Sequence, residues 1–187
     1  MGKLIVDRDL LESPLSGMEF AAYLSAADMG TVYRDKVVLL DITIYYNLMG
    51  AIPNSRQRAE LNEALLRLMD AGVLSAEVVG RGLYLIDCGL SFKYDLDKLP
   101  HGASTLEFES VRKIVAESKC WQGMLRYYLM VLSHQRVSRA CIYSRQYFSD
   151  KLGISALTLS KYNTALEKLG VMKVVRRKNT TSVYKIT

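Results

Sequence analysis

The sequence has few of the residues that build metal sites or disulfide frameworks. Its 187 residues include only three cysteines and two histidines. An odd number of scattered cysteines indicates free thiols in a reducing compartment. No Ser/His/Asp or Cys/His grouping and no glycine-rich phosphate loop is suggested by residue order or spacing. We therefore predict a protein without a metal, a cofactor or enzymatic activity. The residues concerned do not match the spacing of a metal site: Cys88, Cys120, Cys141, His101 and His134.

Long apolar segments are also missing. The first residues, MGKLIVDRDLL, carry charges where a signal peptide needs its apolar segment. No apolar run approaches the ~18 residues of a membrane-spanning helix. The most apolar segment, residues 121–132, is interrupted by Arg126. These absences lead us to expect a cytoplasmic protein that does not contact a membrane.

Acidic residues are scarce in the second half of the chain. Residues 1–100 contain 10 Lys and Arg against 14 Asp and Glu, a balance of −4. Residues 101–187 contain 15 against 5, a balance of +10. A basic region gains free energy from counterion release when it binds a polyanion, and an acidic region is repelled. The asymmetry favours nucleic acid as the partner of the second half.

The last 45 residues, 143–187, have the pattern of a helix-turn-helix followed by a β-hairpin. We predict a short helix that ends at Gly153, and a second helix that Ser155 caps and Gly170 ends. Two β-rich runs, 171–177 and 181–186, follow and are joined by a polar turn. The second helix has an apolar stripe at helical spacing, which consists of Leu159, Tyr162, Leu166 and Leu169.

The same order of elements is predicted earlier in the chain. An amphipathic helix over 16–27 is followed by a strand over 36–41 and a helix over 42–49. Asn54 or Ser55 caps the next helix, with Gln57 placed for a capping box, and Gly72 ends it. A hairpin over 73–79 and 83–87 completes the first copy. Gly72 and Gly170 align at a spacing of 98 residues, which indicates a tandem repeat.

We expect an α+β fold, mostly α, with two tandem winged-helix domains. The first domain covers residues 1–100 and the second covers residues 101–187. A connecting helix is predicted over 106–117, and the first helix of the second domain over 120–134. The first domain is the acidic half of the chain, and the second domain is the basic half.

Residues 152–186 resemble the winged helix of phage and plasmid replication initiation proteins and of many bacterial transcription regulators. The tandem arrangement is similar to plasmid initiators with two winged-helix domains and, more distantly, to kleisin-partner proteins of chromosome condensation. The resemblance implies sequence-specific binding of double-stranded DNA, association with the nucleoid or a plasmid, and replication or transcription proteins as further partners. It leaves open which process is served. The matching positions are Leu152, Gly153, Ser155, Thr158, Lys161, Leu166, Leu169, Gly170, Tyr184 and Ile186.

The predicted DNA contacts lie on helix 155–169, at the start of the helix before it, and on the hairpin tip at 176–180. Lys, Ser and Thr side chains contact base edges or phosphates in the major groove. A cationic hairpin tip suits phosphates or the minor groove. The alternative is a solvated face that contacts nothing. The predicted residues are Arg145, Gln146, Ser155, Thr158, Ser160, Lys161, Thr164, Lys168, Arg176, Arg177, Lys178 and Asn179.

The corresponding helix of the first copy carries charges of both signs, which is typical of a solvated or protein-facing helix. The first domain is expected either to dimerise or to make an auxiliary DNA contact at a second half-site. Its neutral-to-acidic charge and the apolar strand LYLI of its hairpin favour a homodimer. The alternative function is an architectural adaptor whose winged helices bind proteins in chromosome condensation or segregation. The mixed charges are Arg56, Arg58, Arg67, Glu60, Glu63 and Asp70.

Overall fold

Helices make up most of the structure, and the strands form three small antiparallel sheets. The structure is a computed structural model that describes residues 3–33, 37–80, 83–86, 103–117, 119–135, 140–176 and 182–187. The predicted α+β class, mostly α, is confirmed.

Within the described ranges the helices are α1 (Arg8–Glu12), α2 (Gly17–Tyr33), α3 (Asp41–Met49), α4 (Ser55–Asp70), α5 (Phe108–Glu117), α6 (Trp121–Ser133), α7 (Arg145–Leu152) and α8 (Ala156–Lys168). The strands are β1 (Lys3–Asp7), β2 (Val37–Leu40), β3 (Ala76–Gly80), β4 (Leu83–Ile86), β5 (Ala103–Glu107), β6 (Ala140–Ile142), β7 (Met172–Val175) and β8 (Val183–Ile186).

Two segments of the chain have the same order of elements. Unit 1 (residues 17–86) runs α2-β2-α3-α4-β3-β4, and unit 2 (residues 121–186) runs α6-β6-α7-α8-β7-β8. Each contains a three-stranded sheet whose last strand lies in the middle, in the orders β2-β4-β3 and β6-β8-β7. The predicted helices and hairpin strands of both copies are therefore present, and unit 2 also contains β6, which was not predicted.

Local signals set the ends of the helices. Asn54 caps α4 in a complete capping box, in which it accepts from Gln57 N while Gln57 Oε1 accepts from Asn54 N. Ser155 caps α8 by accepting a hydrogen bond from Thr158 N at 3.1 Å. Gly153 ends α7 with a φ of 64°, a conformation that costs glycine little. The predictions at these positions are confirmed.

Helix α2 differs from the amphipathic helix predicted over 16–27. It continues to Tyr33, and its first three turns are buried on almost every side. The reason is that α2 packs against α3, α4, α5 and α6. At its start, Gly17 lies directly against the backbone of Gln122 in α6. The buried hydroxyl of Ser25 donates to the carbonyl of Ile44 in α3 at 3.1 Å.

The pairing of β1 with β5 has no counterpart in the sequence predictions. Leu4 lies opposite Leu106 in this antiparallel pair, and both side chains are buried. Because residues 103–107 are extended, the connecting helix begins at Phe108 rather than at the predicted residue 106. Helix α6 matches its prediction, with Cys120 and His134 as its flanking residues.

The start of the chain packs against unit 2. Arg8 Nη2 donates to the carbonyl of Gln135 at 2.9 Å, and Arg126 of α6 donates to the carbonyl of Ser13 at 2.6 Å. Arg126 is the charge that interrupts the apolar segment, and burial lowers the pKa of its guanidinium.

Buried side chains of both units form one hydrophobic cluster. The predicted domain boundary at residue 100 lies outside the described residues, so the division into two domains remains a prediction.

The strand LYLI does not form a free edge of unit 1. It is β4, and it pairs with β2 on one side and β3 on the other. With both sides paired, β4 has no edge with which to extend the sheet into a second copy. The homodimer remains a prediction, without this strand as its reason.

Candidate nucleic-acid interface

The helix pair α7–α8 is fixed to unit 2 by buried side chains. Phe148 of α7 is fully buried and makes edge contacts with Tyr127 and Tyr184, with ring centroids 5.4 and 5.6 Å apart. In α8, Leu159 and Leu166 are fully buried. The remaining members of the predicted apolar stripe, Tyr162 and Leu169, are half-buried and pack against the core. The stripe therefore faces the core as predicted.

A buried polar contact that was not predicted fixes the rotation of α8. Asn163 is 3% exposed, and its Oδ1 accepts a hydrogen bond from the Tyr127 hydroxyl at 2.7 Å. Burial raises the pKa of the Tyr127 phenol, which keeps the donating proton in place. Rotating α8 about its axis would take Asn163 away and leave the buried Tyr127 hydroxyl without this acceptor, which is costly.

The opposite side of α8 faces solvent. We call four of its exposed residues the α8 face: Leu157, Lys161, Thr164 and Lys168. Their spacing of four, three and four residues places them in one row along the helix. Neither lysine makes a hydrogen bond or ion pair with another described residue. The α8 face therefore presents two cations and an exposed leucine in a row.

Arg145 and Ser160 lie beside this row. Arg145, the first residue of α7, donates from Nη1 to the Ser160 hydroxyl at 2.9 Å. The Thr164 hydroxyl donates to the Ser160 carbonyl at 3.1 Å. The structure thus brings together Arg145, Ser160, Lys161 and Thr164, all of which were predicted from the sequence as DNA contacts.

Three other predicted residues already have partners within the chain. The Ser155 hydroxyl accepts from Thr158 N and lies 3.0 Å from the Thr158 hydroxyl. Gln146 Nε2 donates to Asp150 Oδ1 at 2.6 Å. The hydroxyls of Ser155 and Thr158 are therefore used to begin α8, which places the exposed row correctly.

One carboxylate joins the hairpin to α8. Glu167 accepts from Val174 N of β7 through Oε1, and from Arg176 Nη2 through Oε2, each at 3.0 Å. Arg176 is thus held against α8, although 64% of its side chain is exposed. The sequence predictions did not single out Glu167. The other predicted tip residues, Arg177, Lys178 and Asn179, lie outside the described residues.

The segment of the chain that contains the α8 face is strongly basic. Residues 140–187 contain nine Lys and Arg against two Asp and Glu. Both acidic residues are engaged, Asp150 with Gln146 and Glu167 with the hairpin. The exposed cations are consequently neutralised only in part by the protein itself.

Helix α4, the counterpart of α8 in unit 1, has a different electrostatic character. Arg56 pairs with Glu60 at 3.0 Å, and Arg58 Nε donates to the carbonyl of Pro53 at 3.3 Å. Arg67 pairs with the buried Glu19 of α2 at 2.7 Å. Each arginine of α4 therefore has a partner within unit 1. Of these two helices, only α8 carries cations that make no hydrogen bond or ion pair with another described residue.

Other kinds of site are not evident in the described parts of the chain. No described helix has the length and apolarity to cross a bilayer. No three His, Cys, Asp or Glu side chains among the described residues lie together in a way that would hold a metal ion. His134 is engaged by the Tyr147 hydroxyl at 2.6 Å from its Nε2, inside a cluster of aromatic rings.

Neither the protein-family models nor the curated proteins compared with this sequence give a match.

Proposed function

We propose that the protein binds double-stranded DNA and that α8 lies in the major groove. The observation that carries this proposal is the α8 face, whose two lysines have no partner among the described residues. The face lies on the second helix of a helix-turn-helix, the element that enters the major groove in DNA-binding proteins of that type. Lysine contacts guanine O6 and N7 or phosphate, and threonine contacts base edges or phosphate.

The element order supports a winged-helix interpretation of both units. Each has a helix, a strand, two helices and a hairpin, with the last strand in the centre of the sheet. In the proposed complex, Arg145 at the start of α7 contacts the DNA backbone beside the groove. Arg176 and the following residues 177–179 contact adjoining phosphates or the minor groove.

The proposed biological role is initiation of plasmid or phage replication, or control of transcription at an operator. Both roles place the protein on a nucleoid or a plasmid, and both need the same interactions with the duplex. Unit 1 is proposed to contact a second copy of the chain or another protein. This assignment rests on the internal pairing of the α4 arginines.

The first test is the salt dependence of DNA binding. Replacing Lys161 and Lys168 with alanine is expected to flatten the slope of log affinity against log salt concentration by about 0.9 for each phosphate that the variant no longer neutralises. Fluorescence anisotropy with a labelled duplex, titrated at several salt concentrations, measures the slope for the wild type and the variant.

In the matched control, alanine replaces two other exposed lysines, Lys113 in α5 and Lys119 just after α5. This control variant loses as much positive charge and as many lysine side chains as the α8 variant. Its slope of log affinity against log salt concentration is expected to stay close to that of the wild type. Equal slopes for the wild type and the α8 variant would contradict the proposal. Equal flattening in both variants would show attraction by net charge alone.

A second prediction concerns Glu167. The Glu167→Gln change removes the one carboxylate of α8 and releases Arg176 from its ion pair, while glutamine Oε1 can still accept from Val174 N. The salt slope is therefore expected to steepen by up to about 1 because one more cation becomes available to phosphate. The control is Glu63→Gln on α4, whose ion pair lies in unit 1 and whose slope should not change. A Glu167→Gln slope equal to the wild-type slope would place Arg176 outside the interface.

A second candidate function is that of an adaptor that binds proteins through unit 1. The observation in its favour is the exposure of apolar side chains around the turn between α3 and α4, where Tyr46 is 57% and Ile52 is 71% exposed. If this is the main function, replacing both residues with serine abolishes binding to the partner, and replacing the α8 lysines leaves it intact. Pull-down from a cell extract with each variant distinguishes the two candidates.

A further inference from the structure

We infer that Leu157 contacts the 5-methyl group of a thymine, so that the DNA site contains a thymine at the end of the groove nearest the start of α8. The inference rests on the proposed function and adds a base preference to it. The sequence predictions did not include this residue, because an apolar side chain on a helix is expected to face the core.

Leu157 is the apolar member of an otherwise polar row. Its side chain is 68% exposed, and it lies in the first turn of α8 with the cations Lys161 and Lys168 further along the same row. The helix cap is formed by Ser155 and Thr158, so Leu157 has no role in capping. The small residue Ala156 beside it is also exposed, which leaves the leucine projecting from this end of the helix.

The chemistry of the major groove limits what this leucine can contact favourably. Base edges there present hydrogen-bond donors and acceptors, and the one apolar group is the methyl group of thymine. In helix-turn-helix proteins the first residues of the recognition helix approach the base edges most closely. A leucine in the first turn is therefore positioned to bury a methyl group.

The charges of the row select duplex DNA over an apolar protein partner. A protein surface that covered Leu157 would also desolvate the lysine one turn away, which is costly without a compensating anion. The DNA backbone supplies such anions on both sides of the groove. Four residues of helix span about 6 Å, and DNA rises about 3.4 Å for each base step. The thymine is therefore expected within about two base steps of the group that Lys161 contacts.

The test uses deoxyuridine, which differs from thymidine only by the missing methyl group. A duplex bound by the full chain is first selected from a random pool, and each thymine in it is then replaced singly by deoxyuridine. One replacement is expected to weaken wild-type binding about fourfold, the effect of removing one buried methyl group. The Leu157→Ala variant is expected to bind the thymine and deoxyuridine duplexes equally.

The control variant is Leu66→Ala, which truncates an exposed leucine on α4 and should retain the wild-type preference. Unchanged thermal unfolding of both variants shows that the fold is intact. If the wild type binds the selected duplex but no thymine shows the methyl effect, or if Leu157→Ala keeps it, the inference is wrong and the proposed function stands. If no duplex is selected at all, both are wrong.

Discussion

Replacing Phe148 with alanine is expected to lower the free energy of unfolding by about 4 kcal/mol, the range observed for a fully buried phenylalanine. The ring is inaccessible to solvent, and it makes perpendicular contacts with the rings of Tyr127 and Tyr184. These neighbours come from α6 and β8, so truncation leaves a cavity at the point where α7 meets the helix and the sheet of unit 2. Relaxation cannot fill this cavity, because rigid aromatic rings surround it.

Urea unfolding followed by circular dichroism measures this change. The control is Phe148→Leu, which conserves most of the volume and is expected to cost about 1.5 kcal/mol or less. A decrease below about 1 kcal/mol for the alanine variant would show that α7 is not fixed to unit 2 through this ring. The proposed DNA binding is expected to weaken in the alanine variant as well, because α7 and the start of α8 would no longer be held in place.

Replacing Gly17 with alanine is expected to cost about 3 kcal/mol, since the added methyl group overpacks the junction between two helices. A Cβ atom at this position would lie 2.4 Å from the carbonyl oxygen and 2.5 Å from the Cα atom of Gln122. Both atoms belong to the backbone of α6, so no side-chain rotation relieves the clash. The first turn of α2 must move away from α6, and it is this junction that joins the first helices of the two units.

The comparison variant is Gly50→Ala. Gly50 has open space around its Cβ position but a φ of +65°, which costs an alanine about 1 to 2 kcal/mol. Thermal and urea unfolding of the two variants separate a clash between helices from local backbone strain. Equal destabilisation of both variants would mean that α2 and α6 are not in close contact at Gly17.

Elements defined by short-range chemistry could be predicted from the sequence. The side chain of Asn54, the hydroxyl of Ser155 and the backbone of Gly153 act on residues within four positions of themselves. Hydrophobic periodicity likewise placed Leu159 and Leu166 on the core side of α8. The candidate site followed from these features, because the exposed row is simply the other side of a correctly placed helix.

Features that depend on distant partners could not be predicted. Asn163 looks like a surface residue in the sequence, and only its contact with Tyr127, 36 positions away, explains its burial. The burial of α2 depends on four helices packing around it, which weakens any periodic pattern. Strands β1 and β5 pair with each other from positions that are far apart in the sequence, and neither strand was predicted. Leu157 was missed for the opposite reason: it lies on the side of α8 away from the apolar stripe, but a leucine by itself is expected to face the core.

The pairing of β1 with β5 has a consequence for synthesis on the ribosome. Arg8 and Ser104, which are hydrogen-bonded at this sheet, are 96 positions apart in sequence. At about 5 to 20 residues per second, β1 leaves the exit tunnel several seconds before its partner is made. During that interval the apolar groups of Leu4 and Val6 have no strand to cover them. The nascent chain is therefore expected to need a holding chaperone for its first strand, even though the surrounding helices can form earlier.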